Sequence, residues 1–250
     1  MESFTRRDLA GATFTQVDLS GARFAESDLS GAVLRGVSVG GMEIDAPWLT
    51  NGDRPLLVNG IDVAAYVDQE LDRLCPGREL RRAADPEGLR GAWAALERSW
   101  GATLGRVAAL PPDTVDVSVA GEWSFAQTLR HLVLATDMWL GKAVLGREQP
   151  FHPLGLIDVA SAGERDLSVF ATETPTFEAV LEARADRVGM VRDFIAAVTP
   201  EELAVPRPNP HDPEEGETTL SCLHVILEEE WEHHRYAVRD LDAIAVAATR

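Results

Sequence analysis

The most regular apolar pattern in the chain lies near its C-terminus and predicts one long amphipathic helix over Leu220–Ile244. At about 100° per residue, the apolar side chains of this stretch fall on one face. That face comprises Leu220, Leu223, Ile226, Leu227, Ala237, Val238, Leu241 and Ile244. Two ionisable residues, Glu230 and His234, interrupt it one turn apart. Burying such a pair is unfavourable unless a partner neutralises it, so the pattern makes Glu230 and His234 candidate metal ligands.

The opposite face of this helix is polar and carries Glu228, Glu232, Arg235 and Arg239. Side chains of this type on the far side of an apolar stripe are typical of a solvated surface. We therefore expect these four residues to face water.

The helical period recurs four more times before the last helix, near residues 62–74, 85–110, 124–145 and 174–199. Asp85 followed by Pro86 is typical of an N-cap with proline at the first helical position. Ser124 with Gln127 three residues later is a capping-box pattern. Each of these signals predicts where a helix begins.

Four of the five helices are long, and a long connection over residues 146–173 separates the second of them from the third. Long helices with one long crossover are typical of a four-helix bundle. An irregular α-fold, or a bundle completed by a second subunit, would give the same pattern. We expect a mainly α protein with a four-helix bundle over residues 61–250.

The first forty residues follow a different period, because large apolar residues recur at every fifth position. They are Phe4, Leu9, Phe14, Leu19, Phe24, Leu29, Leu34 and Val39. No α-helix or flat strand has a period of five, so the chain must turn a corner at each pentad. Residues 40–57 then carry Gly, Pro and Asn without a period. These boundaries predict a repeat module over 1–40, a linker over 41–60 and the bundle after it.

The pentads, with DLAGA and DLSGA recurring at ten, resemble the pentapeptide-repeat family over residues 2–39. The resemblance implies a short right-handed quadrilateral β-solenoid of about two coils, with the Leu and Phe positions pointing inward. Its open ends are compatible with a structural cap, a docking piece or a homodimer contact. DNA mimicry, known for longer acidic members of that family, is not expected of two coils with nearly balanced charge.

The overall charge and the cysteines limit the classes of function. A formal net charge of −18 repels phosphate backbones, which argues against nucleic-acid binding. No apolar run approaches the roughly 20 residues that span a bilayer, and the N-terminus does not resemble a secretory signal. Cys75 and Cys222 are too few for a disulfide framework and are expected to be reduced thiols. We expect a cytoplasmic protein.

The candidate metal ligands have competitors on the same helix. Residues four apart on a helix lie on nearly the same side and can chelate one ion, which fits Glu230 and His234. Glu229 and His233 have the same spacing but lie at the edge of the apolar stripe. The stripe favours the first pair and predicts that His234→Ala loses metal whereas His233→Ala largely keeps it. The spacing alone is equally compatible with a solvated or salt-bridged acidic helix.

A third ligand has to come from another helix, and His131 is the one histidine elsewhere in a long predicted helix. It lies on the flank of that helix's apolar arc, so periodicity does not fix its direction. His152 and His211 fall in loops beside prolines, and His224 points away from the stripe.

Two segments, EWSFAQTLRHLVLATDMW and LHVILEEEWEHHRYAVRDL, resemble the DinB-like superfamily. That resemblance implies a four-helix bundle with one divalent metal near one end, held by a His on the second helix and a pair on the last. Aligning the run His233-His234-Arg235 on the family pattern gives His131, Glu230 and His234 as ligands. A His/Glu/His set is similar to that of mycothiol-dependent maleylpyruvate isomerases. It suits zinc and accommodates nickel, iron or manganese.

The resemblance further implies a thiol-dependent S-transferase, in which a metal-bound low-molecular-weight thiolate attacks a small electrophile. Mycothiol and bacillithiol are the candidate thiols. Glu229, Trp231 and His233 flank the predicted ligands and are expected to orient them or to line the pocket for the cosubstrate. Two alternatives stay open, a metal-binding scaffold without turnover and a metal-dependent hydrolase.

Overall fold

The computed structural model describes residues 3–25, 27–49, 54–157, 166–212 and 214–248. The chain divides into two compact units, Met1–Asp45 and Ala46–Arg250.

In the first unit, the described backbone turns at five-residue intervals. Residues with positive φ follow one another at Arg6, Gly11, Gln16, Gly21, Gly31, Gly36 and Gly41. The DLxGA repeat explains every second turn, because the Asp8 carboxylate accepts a hydrogen bond from the Ala10 backbone at 2.9 Å and Ala12 N–H donates to the Leu9 carbonyl. The predicted corner at each pentad is present in the described residues.

The predicted β-solenoid with an inward-facing core is not seen in the described part of this unit, which contains no strand and no buried side chain. Its large apolar residues remain exposed, from 46% at Leu9 to 69% at Val33. Burial in a solenoid comes from coils stacked on both sides, and a segment of about two coils has few such neighbours.

The second unit begins with a short antiparallel hairpin, β1 (Leu57–Val58) and β2 (Ile61–Asp62). Asn59 and Gly60 at its tip both have positive φ, which is the reason Asn-Gly favours such hairpins. Helix α1 (Ala64–Leu74) follows, and then a 3-10 helix over Arg78–Arg82. Gly77 joins them with φ of 100°, where a Cβ would lie 2.6 Å from the Ala95 Cβ.

Four long helices form the rest of the unit, with short elements between them. They are α2 (Pro86–Val107), α3 (Phe125–Thr136, continuing as a π-helix over Asp137–Val144), α4 (Phe177–Ala197) and, after the single turn α5 (Pro200–Leu203), α6 (Thr219–Ala248). Asp85 caps α2 and Ser124 forms a full capping box with Gln127, so both predicted starts are confirmed. Strands β3 (Pro206–Pro208) and β4 (Gly216–Thr218), which the sequence did not predict, pair ahead of α6.

The long helices pack around one shared apolar core, with α2 and α3 each contacting both α4 and α6. This arrangement is a mainly helical bundle of four. The largest fully buried side chains come from all four helices, and Trp231, Leu96, Leu129 and Ile195 represent one helix each. Among the described residues, no helix is long and apolar enough to cross a membrane.

The polar face of α6 is more buried than the pattern predicts. Glu228 is 8% exposed and Glu232 is 3% exposed. The 3-10 helix covers them, with Arg81 Nε 3.9 Å from a Glu228 oxygen and Arg78 Nη2 3.5 Å from Glu232 Oε1. The prediction that these two glutamates face water was therefore wrong. A neighbouring segment supplies arginine partners, which helical periodicity cannot show.

The two arginines of that face are half-buried and take part in ion pairs. Arg235 Nη2 lies 2.8 Å from Glu232 Oε2, one turn earlier on the same helix. Arg239 reaches Asp240 and, across to the loop before α3, Glu122, both at 2.8 Å. The sequence predicted that both arginines face water, whereas the structure shows them half-buried and ion-paired.

Candidate metal centre

Helices α3 and α6 bring one cluster of three candidate ligands together, His131, Glu229 and His233. One ligand atom from each lies within 4.8 Å of the others. His131 Nε2 is 3.2 Å from Glu229 Oε2, and His233 Nδ1 is 3.3 Å from the same oxygen. Among the described parts of the chain, no other group of three such residues converges in this way.

The tautomer of His233 follows from its partner. Its Nδ1 lies 2.9 Å from the Glu229 carbonyl oxygen, one turn earlier on α6. A carbonyl oxygen can only accept, so Nδ1 carries the proton and Nε2 keeps a lone pair. Burial also lowers the pKa of His233, against the opposing effect of Glu229. The ring is thus held neutral at pH 7, the form in which imidazole binds metals.

His131 is 9% exposed and its Nδ1 is buried without a hydrogen-bond partner among the described residues. His234 Nδ1 is also buried without a hydrogen-bond partner in the described part of the chain, so this feature does not distinguish the cluster from the neighbouring histidine. Two imidazoles and one carboxylate also match the three-ligand sets of zinc sites that keep an open position. The donor types and their convergence together fit a divalent ion.

Aromatic side chains enclose the cluster. Trp123, in the loop that precedes α3, has its ring centroid 4.6 Å from His131 and 6.1 Å from His233, and it is stacked on the latter. The two imidazoles are 4.6 Å apart, and Tyr236 meets His233 edge-on at 5.9 Å. Trp123 therefore covers both histidines at once.

A shallow groove begins at Trp123 and is lined mostly by apolar side chains. Its other lining residues are Val117, Phe125, Thr128, Ala237, Asp240, Leu241 and Ile244. Thr128 lies one turn before His131 on α3, and Ala237 lies one turn after His233 on α6. The groove thus lies next to the cluster, one turn away along both helices.

The structure does not bring Glu230 or His234, the two ligands predicted on α6, together with His131. Glu230 is 1% exposed and accepts hydrogen bonds from Arg184 Nη2 at 2.6 and 2.5 Å. His234 Nε2 lies 2.9 Å from Thr103 Oγ1. Neighbouring helix positions differ by about 100°, so this pair faces α2 and α4 while Glu229 and His233 face α3. The residues of α6 that face His131 therefore lie one position earlier in the chain than those that the sequence analysis chose.

Trp231, predicted to line the cosubstrate pocket, is fully buried in the core, with its ring near Gly77. The other two residues of that prediction, Glu229 and His233, are in the cluster itself. The remaining histidines lie elsewhere, since His224 Nε2 meets the Ala83 carbonyl at 2.8 Å and His211 packs on Trp139. His152 donates its backbone N–H to Asp137.

Sequence reasoning missed Arg184 and Trp123. It treated Glu230 as unpaired because Arg184, its partner, is 46 residues away along the chain. One signal for the pair that converges with His131 was present, however. His131 lies on the flank of the apolar arc of α3, and Glu229 and His233 lie at the edge of the stripe of α6. When the apolar faces of α3 and α6 pack together, residues that border these faces, such as His131 and His233, come close to one another.

Comparison with known proteins agrees with this architecture. The family model of the DinB superfamily matches residues 95–237, more than half of the chain. The chain therefore belongs to the DinB superfamily. Eight copies of the pentapeptide repeat match residues 3–38. No curated protein and no solved structure matches the chain. Membership of the superfamily supports metal binding at a general level, and the His/Glu cluster provides a candidate site.

Proposed function

We propose that this protein is a metal-dependent, thiol-dependent S-transferase whose ion is held by His131, Glu229 and His233. The observation that carries the proposal is the convergence of these three side chains, within 4.8 Å, between two helices of a DinB bundle. Zinc is the proposed ion because two imidazoles and a carboxylate suit it, and nickel, iron and manganese accept the same donors.

A bound divalent ion supplies a Lewis acid that lowers the pKa of a thiol at its open position. The residues of the chain have separate tasks around it. Glu229 is shared by both histidines and contributes the negative charge of the set. Trp123 covers the imidazoles, and the side chains that line the small apolar groove beside it would contact the uncharged part of an electrophile. In the transfer, the thiol sulfur bonds to the electrophilic carbon as the leaving group departs and the thiol proton is released.

The test begins with metal content. We expect purified protein to bind about one zinc per chain, His131→Ala and His233→Ala to lose it, and His234→Ala to retain it. His234→Ala is the matched control, because it removes an imidazole from the same helix one residue away. Elemental analysis and zinc titration measure the outcome. Loss of metal in His234→Ala with retention in His233→Ala would overturn the assignment.

Turnover is tested with the zinc-loaded protein, a generic electrophile and mycothiol, bacillithiol or glutathione in turn. Consumption of one thiol that depends on both zinc and His233 supports the transferase. Product formation without thiol would instead indicate a hydrolase.

A second candidate function is metal binding without turnover, as part of a scaffold. The observation that favours it is the coverage of both imidazoles by Trp123 together with the shallow groove, which leaves little room for two substrates. Stoichiometric zinc with no consumption of any thiol would support this function.

A further inference from the structure

Helix α6 carries two overlapping Glu–His pairs, and the structure uses them differently. Glu229 and His233 face His131, whereas Glu230 and His234 face α2 and α4. Because the pairs are displaced by about 100°, rotation of the helix by one position would bring the second pair to the place of the first. The buried apolar side chains of α6, among them Leu223, Leu227 and Leu241, already oppose such a rotation, because it would turn them away from the core. The contacts of Glu230 and His234 add to this preference.

The first of these contacts is a buried ion pair. Arg184 on α4 is 5% exposed, and its Nη2 donates to both carboxylate oxygens of Glu230. If Glu230 rotated toward α3, both the carboxylate and the guanidinium would be left unpaired in the core. The pair therefore opposes rotation of α6 in either direction.

The second contact holds His234. Its Nε2 lies 2.9 Å from Thr103 Oγ1 on α2, and its ring meets Trp100 edge-on at 4.9 Å. The Arg184 guanidinium carbon lies 5.9 Å from the same Trp100 ring. Both members of the second pair are thus fixed around one tryptophan, on the side of α6 away from His131.

We propose that Arg184 and Thr103 are positioning residues that select which Glu–His pair of α6 binds the metal. By holding Glu230 and His234 in the core, they direct Glu229 and His233 toward His131. This inference rests on the proposed metal site and adds the reason why that site is built from one pair and not from its neighbour.

The first variant for the test is Arg184→Met, which keeps most of the side-chain volume and removes the donors. We expect folded Arg184→Met to bind zinc about 10-fold more weakly than the wild type, at the lower end of the loss caused by removing a direct partner of a metal ligand, because Arg184 bonds Glu230 and not a ligand. We also expect the visible absorption of its cobalt-substituted form to change, because the ligand set becomes mixed. Thr103→Val should shift both quantities in the same direction by a smaller amount.

The double variant Arg184→Met/Glu230→Leu is the rescue. It replaces the buried ion pair by apolar side chains, so position 230 again prefers the core. We expect zinc affinity and the cobalt spectrum to return close to those of the wild type.

Arg187→Met is the matched control. It removes another paired arginine from α4, one turn away, whose Nε lies 2.7 Å from the fully buried Asp137 on the π-helix rather than from α6. We expect this variant to lose stability but to keep zinc affinity and the cobalt spectrum.

Several results would overturn the selection by Arg184. If Arg184→Met lost stability but kept both the affinity and the spectrum, as Arg187→Met is expected to do, its role would be structural only. Tighter zinc binding would show that Arg184 acts by repelling the cation. Failure of the proposed function is a separate result, in which the wild type binds no zinc or His233→Ala binds it unchanged.

Discussion

At the scale of residues, the candidate site depends on which buried ionisable groups find partners within the protein. Glu230 is neutralised by Arg184, and His234 is paired with Thr103. His131 Nε2 is bonded to Glu229, so His131 is the histidine that meets the Glu229–His233 pair. The i, i+4 spacing of both Glu–His pairs can be read from the sequence, whereas periodicity does not fix the direction of His131, which was chosen from the family resemblance. The apolar stripe favoured Glu230 and His234, because their partners Arg184 and Thr103 lie on other helices and cannot be read from local sequence.

The burial of His234 also predicts that the free energy of unfolding of the metal-free protein depends on pH. Burial lowers the pKa of His234 in the folded state, whereas the unfolded chain keeps the ordinary value near 6.5. As the pH falls through 6.5, the unfolded state binds the proton first, so the free energy of unfolding decreases toward the lower folded pKa. We expect His234→Phe to lose less stability than the wild type between pH 7.5 and 5.5. Urea unfolding at each pH, with metal removed, measures the difference.

His224→Phe is the control for that measurement, because it removes a half-buried histidine of the same helix from a different environment. The prediction fails if His234→Phe and the wild type show the same change in unfolding free energy over this pH range.

At the scale of elements, capping signals predicted where helices begin. Tertiary contacts caused the differences between the predicted and the observed elements. The start of α2 at Pro86 and that of α3 at Phe125 follow from local side-chain bonds. The conversion of α3 into a π-helix at Asp137 coincides with contacts from distant segments, since Asp137 is bonded by Arg187 and by the His152 backbone. Helical periodicity cannot predict a change of that kind.

The capping box of α3 matters for the site because this helix presents His131 two turns later. Ser124 Oγ accepts from the Gln127 backbone, and Gln127 accepts from the Ser124 backbone in return. We expect Ser124→Ala to lower the free energy of unfolding by about 1 kcal/mol. Chemical denaturation measures this. Zinc affinity of the folded protein should change little, because the middle of α3 is held by packing.

Thr176→Ala is the comparison for Ser124→Ala, because Thr176 caps α4 with a single side-chain bond to Ala179 and has no reciprocal glutamine. We expect a smaller effect there. Equal losses in the two variants would show that the Gln127 side chain adds nothing.

At the scale of the whole molecule, the sequence predicted the two kinds of module but not the packing of the first. The five-residue period specifies where the backbone turns, and those turns are present. It does not specify how much apolar surface is buried, which depends on the number of stacked coils. The assignments to the cytoplasm, to a small electrophile as substrate and to a homodimer remain predictions, as does the absence of a nucleic-acid partner.

The last prediction concerns metal and global stability, since a ligand that binds only the folded state stabilises the whole bundle. With free zinc at about 100 times its Kd, the expected stabilisation is about 2.7 kcal/mol. For a chain of this size that corresponds to a Tm higher by about 5–10 °C than after treatment with a chelator. Differential scanning calorimetry of the wild type with and without zinc measures it. The double variant His131→Ala/His233→Ala should show the same Tm in both conditions. A zinc-dependent Tm shift of wild-type size in that variant would place the stabilising ion at another site in the chain.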